Sequence, residues 1–121
     1  MADDSTLLQR RERTELIALA EAEELVALAE TLLGRLGQPT VVNAPEVGLV
    51  MMTVREPVCG DRFHLGEVLV TRAEADWGGA TGWAIRMGAD RETALAAALC
   101  DAAAMIDEAA ATAVDDLCRR T

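Results

Sequence analysis

The chain has 121 residues, 51% hydrophobic but only 2% aromatic, and its 21 acidic and 11 basic side chains leave a net charge of −10. That length fits one domain, residues 1–121, with a core of small aliphatic side chains that gains little per residue, since burial stabilises by about 25 cal/mol per Å². The charge argues against nucleic acid and anionic membrane as partners, which are bound through their phosphates, and no apolar run approaches the length needed to cross a bilayer.

The acidic start, Met1 to Thr6, has neither the basic nor the apolar part of a signal peptide, so a cytoplasmic protein is expected. From Thr6 to Leu36, apolar positions such as Leu16, Leu19, Val26 and Leu33 recur at threes and fours. This predicts an N-terminal helix, with a kink or short break near Glu21 to Glu24. Gly37 and Pro39 end it. Thr40 to Val42 and Val47 to Val54 read as strand, Pro57 to Asp61 as a loop, and His64 to Trp77 as a second strand bent at Gly66. Gly78 and Gly79 make a tight turn into a third strand, Thr81 to Met87. Asp90 is placed to cap a helix from Arg91 to about Leu117. The expected fold class is α+β: an N-terminal helix, an antiparallel meander of three to four strands, and a long alanine-rich C-terminal helix.

Two elements are apolar beyond what one buried face requires. Val47 to Val54 does not alternate, as a strand covered on both faces would not. Leu95 to Ile106 is apolar nearly all round, as in a helix buried on several sides. Two helices and a small sheet cover one face of each more readily than both. Leu49 and Met51 on the strand, and Leu95, Leu99 and Met105 on the helix, are therefore candidate contacts with another polypeptide.

Catalytic chemistry is sparsely provided. Cys59, Cys100 and Cys118 lie far apart without CxxC spacing, which reads as reduced thiols, and His64 adds too little for a zinc site. Cys59 and His64 can be drawn as nucleophile and base, but nothing in the sequence orients them. No GxxxxGK[ST] phosphate loop is present. No catalytic residue, metal or cofactor is assigned. Along the second strand, Arg72 is the foremost candidate to contact a partner carboxylate or a phosphate, accompanied by Glu67 and Arg62. The competing role for Arg72 is a solvated cross-strand pair with an acidic residue.

The run Pro45 to Met52, then Gly60, Phe63, Gly66-Glu67 and Thr71-Arg72, is followed by Gly82, Gly88, Asp90, Ala94, Ala97 to Leu99, Asp101 and Ala102. With Arg13 to Ala20 as a first helix, this series resembles the phosphonate-metabolism protein G family, the small subunits of the carbon–phosphorus lyase core complex. Val47 stands where the family usually has Thr, Ala89 where it has Arg, and Thr93 and Leu95 where polar His and Glu are frequent. The C-terminal region is shorter than usual.

The resemblance implies a subunit that joins subunits H, I and J, with I the most direct partner, and acts functionally with the ATP-binding subunit L. Together they displace adenine from ATP by a phosphonate, giving α-D-ribose 1-methylphosphonate 5-triphosphate in organophosphonate catabolism. The nucleosidase chemistry is implied for subunit I, which leaves this chain a structural or allosteric partner. Two other readings stand beside it. One is a homo-oligomeric α+β interaction module unrelated to phosphonates; the other is a small enzyme using Cys59, His64 and Arg72.

Overall fold

The computed structural model describes residues 10–55, 60 and 62–121, with strand residues 52–55 and 62–65 described by their backbone alone. Seven elements follow in these residues: α1 (Arg10–Ile17), α2 (Ala22–Leu36), β1 (Thr40–Arg55), β2 (Arg62–Trp77), β3 (Ala80–Met87), α3 (Arg91–Ile106) and α4 (Glu108–Arg119). The strands form one antiparallel sheet in the order β1-β2-β3, giving the α+β class. Most of the loop expected from Pro57 to Asp61, Cys59 included, lies outside the described residues.

The two-residue turn forms at Gly78 and Gly79, both with positive φ, which L side chains rarely adopt. Asp90 caps α3, its carboxylate accepting from the Thr93 amide at 3.0 Å and the Thr93 hydroxyl at 2.6 Å. These bonds hold the Asp90 carboxyl below its ordinary range. α2 stops at Gly37, as glycine past a last turn does.

Each of the two expected long helices is divided. The chain turns between Ile17 and Ala22, separating α1 from α2. Here Arg86 donates to the Ile17 and Ala20 carbonyls, both at 2.7 Å, satisfying carbonyls that a helix end leaves open. Asp107 divides the C-terminal helix. Its amide still bonds back to the Ala103 carbonyl, while its carboxylate accepts from the Ala110 amide at 2.9 Å and so caps α4.

These breaks make α3 the centre of the molecule. It lies on β2 and β3, with α1, α2 and α4 packed against it as well. Leu99 is only 5% exposed, and Leu95 and Met105 are half-buried, within their own chain. The described residues hold four helices, so α1, α2 and α4 supply part of the cover that the sequence reading assigned to another polypeptide. The side of α3 facing the sheet is built of small residues. Ala94, Ala97, Ala98 and Ala102 are buried, as are Ala73, Ala75 and Ala84 on the strands. At Gly82 the backbones meet: a Cβ there would collide with the Ala98 carbonyl oxygen and the Ala102 amide, and come within 2.8 Å of the Ala102 Cβ.

Buried charges tie α1 down. Asp101 on α3 has no exposed surface; it accepts from the Trp83 amide and from Arg10, each at 3.1 Å. Arg13 of α1 pairs with Asp115 of α4 at 3.4 Å, both buried. Truncating one member of such a buried pair typically costs about 3–5 kcal/mol, because the other charge stays buried and uncompensated.

Gly82→Ala is expected to destabilise the fold by about 1–3 kcal/mol or more, since helix and strand must separate to admit one methyl; urea unfolding checks this. The thiols offer a second check. Burial pushes the Cys100 thiol up to about 12, assisted by Cys118 and Asp101, and pushes Cys118 up to about 11, assisted by Asp115. Both should resist iodoacetamide at pH 8 in the native protein and react once it is unfolded. Their stabilising contribution is present below the unfolded thiol value of about 8.5 and is lost as pH rises through about 11 to 12. The chain has no Lys and no Tyr to titrate in that window, and burial lowers Arg86 from its ordinary value toward it, so the urea midpoint should fall there and a Cys100→Ala/Cys118→Ala variant should show a smaller fall.

Candidate functional site: an uncovered β-hairpin arm

β1 and β2 are each 16 residues long, as is α3. At about 3.3 Å per strand residue and 1.5 Å per helix residue, the strands reach roughly 53 Å and the helix roughly 24 Å. α3 therefore covers about half the hairpin. β3 stops at Met87, opposite Val70, so beyond that point β1 and β2 pair only with each other. The boundary is fixed by the Gly88 loop, whose amide bonds to the Leu69 carbonyl at 2.8 Å and whose carbonyl accepts from the Thr71 hydroxyl at 2.7 Å. A two-stranded arm projects from there.

Register sorts the arm's side chains. Val47, Leu49 and Met51 share a face with Thr71, Leu69 and Glu67, and this face continues from the one α3 covers. Gly48 and Val50 share the other with Val70 and Val68, beside Met87 and Ile85 of β3. Both faces are bare: Leu49 is 62% exposed and Met51 59% on one, and Val50 50% on the other. Trp83, Ile85 and Met87 add exposed apolar surface to the second face. Sequence reasoning missed these three, although their alternation from Trp83 to Met87 was a usable signal.

The polar candidates are scattered. Arg72 lies on the open face beside Glu46, 3.9 Å away, both side chains exposed, which is the cross-strand pair weighed as its competing role. It borders a depression of about 590 Å³ together with Glu46, Val50, Val70 and Arg91. Glu67, opposite Met51, points to the other face, so Arg72 and Glu67 are not brought together. Arg62 pairs in register with Arg55 at the far end of β2, its side chain outside the described residues. His64 is eight positions from Arg72 on the same strand, about 26 Å along it, so these two do not form a common site. Among the described residues, no three His, Cys, Asp or Glu side chains gather as metal ligands.

Leu95 borders a groove between α2 and α3 with Val26 and Leu33, rimmed by Glu30 and Glu92. The carboxylates at its upper end, Glu23, Asp90 and Glu92, sit at the starts of two helices, where the helix dipole favours them without any ligand. No described helix is long and apolar enough to cross a membrane. The feature the fold leaves unexplained is the arm, and it is suited to binding another surface rather than to bond-breaking chemistry.

Leu49→Ser is accordingly expected to shift folding stability by no more than about 0.5 kcal/mol, against roughly 2–5 kcal/mol for Leu99→Ala, when the two are compared by urea unfolding.

Comparison with known proteins agrees with the resemblance noted in the sequence. The model of the family described as phosphonate metabolism protein PhnG matches residues 8–121. The chain is also 37% identical over 102 residues to the α-D-ribose 1-methylphosphonate 5-triphosphate synthase subunit PhnG of Rhizobium meliloti (strain 1021). That alignment takes in 84% of this chain and 65% of the relative, so the chain spans less than two thirds of the relative's length. With a match that runs through all four helices and the whole hairpin, the chain belongs to the phosphonate metabolism protein PhnG family.

Proposed function

We infer that this chain is a non-catalytic subunit of an α-D-ribose 1-methylphosphonate 5-triphosphate synthase, active in the catabolism of organic phosphonates. The relative's name supports the synthase, and the arm bare on both faces carries the subunit role. An apolar hairpin with two uncovered faces is a liability in a free-standing protein and an asset in an assembled one. In this reading the chain joins subunits H, I and J of a carbon–phosphorus lyase core complex, with I the most direct partner. It supports, together with the ATP-binding subunit L, the displacement of adenine from ATP by a phosphonate. The catalytic centre belongs to a partner chain. The separation of His64 from Arg72, and the engagement of Arg72 with Glu46, favour that division of labour. A cytoplasmic location accords with the two free buried cysteines, Cys100 and Cys118.

Co-expression with subunit I, followed by size exclusion with light scattering, tests the assembly. The wild-type chain is expected to co-elute with subunit I as a defined complex. Leu49→Asp should keep its helical circular dichroism and lose the complex, because it places an unpaired charge in an apolar contact. Leu99→Asp should lose the fold itself. A chain that stays monodisperse and ignores subunit I, or that assembles only with itself, would favour the unrelated interaction module instead. For the non-catalytic role, Arg72→Ala and Cys59→Ala in the assembled synthase should leave turnover within about twofold, and a loss of several hundredfold with assembly intact would place chemistry on this chain.

A further inference from the structure

The form of the arm narrows how it is covered. Over Glu46 to Met51 and their partners Glu67 to Arg72, the pairing is regular, with register shifts only on either side. Six residues on each of two strands present roughly 200 Å² per face, from a rise of about 3.3 Å and a strand spacing of about 4.8 Å. A stable interface needs about 800 Å² from each partner. One face of the arm supplies about a quarter of that and both faces about half, with Trp83, Ile85 and Met87 adding to the second. A flat contact on one face would also leave the other apolar face in water.

Charge further restricts the occupant. A second copy of this chain also carries −10, so each would meet its own acidic surface. Two exposed carboxylates stand at opposite ends of the apolar stretch, Glu46 beside Arg72 at its base and Glu67, opposite Met51, five positions further out on the other face. Taking the subunit reading above as its basis, we propose that the arm inserts into a cleft of another synthase subunit, whose apolar walls close on both faces of the hairpin and which carries a basic group inside for Glu67. Insertion buries the Leu49–Met51 face and the Val50–Val70 face in one step, and it takes Glu67 into the cleft while Glu46, paired with Arg72, stays at the mouth. It also steadies a hairpin that two strands alone hold only marginally.

A photo-crosslinking amino acid placed at position 49, and separately at position 50, reads the two faces independently in the purified complex of co-expressed synthase subunits. The proposal expects both positions to crosslink to one and the same partner polypeptide. Capture from one position only, capture of two different subunits, or capture of a second copy of this chain overturns it. A complex that forms with no capture from either position overturns the insertion while leaving the subunit reading intact, whereas failure of any complex to form removes both. The basic group has its own readout. Glu67→Gln should bind several-fold more weakly than the wild type, while Glu46→Gln should bind within about twofold of it. Equal affinity for Glu67→Gln and the wild type would contradict the assignment of a basic group inside the cleft.

Discussion

The close seat of α3 on the sheet is the constraint from which the rest of the structure follows. Alanines meet alanines there, and at Gly82 there is no side chain at all, so the helix backbone lies directly against β3. Only at that separation does Asp101, one residue before Ala102, reach the Trp83 amide. Its carboxylate then receives Arg10 and anchors α1. A core with 2% aromatic residues gains little from each buried side chain, so it depends on close approach and on a few buried polar contacts. Overpacking the contact and removing its charges disrupt the same arrangement by different routes.

That seat also produces the arm. Helix and strands have equal residue counts but unequal rise, so a helix docked at one end of the hairpin leaves the other end bare. α1, α2 and α4 do not extend the cover, because they pack around α3 rather than along the sheet. The chain therefore spends its helices on one compact body and projects a hairpin that is apolar on two faces. In the subunit role proposed above, the missing cover is supplied by assembly.

Much of this was legible in the residues. Gly37, the Gly78-Gly79 pair and Asp90 each perform the local task their chemistry suggests, and the strand from Val47 was read as needing cover on both faces. The first helix break was anticipated only as a kink or short break near Glu21 to Glu24, and the second, at Asp107, was not anticipated. No glycine or proline stands between Ile17 and Ala22; the turn there is held by Arg86, which arrives from β3. At Asp107 the mark is a pair of adjacent carboxylates, Asp107 and Glu108, in an apolar run, the first acting as a cap. With the first break unplaced and the second missed, the all-round apolar character of α3 was assigned to a partner, although α2 and α4 of its own chain pack on it. Leu99 is buried within its own chain, whereas Leu49 and Met51 stand exposed on the arm. Arg72 could be placed on a strand, but its pairing with Glu46 depends on a register that a sequence does not print.

The central claim is that the arm, and not the helical body, meets the partner. Hydrogen–deuterium exchange tests it most directly, comparing the chain alone with the chain in its complex with the other synthase subunits. The account predicts that amides of residues 46–51 and 67–70 exchange readily in the free chain and become strongly protected in the complex, with α2 and α3 little changed. Protection confined to α2 and α3, with the arm exchanging as fast as before, would contradict it.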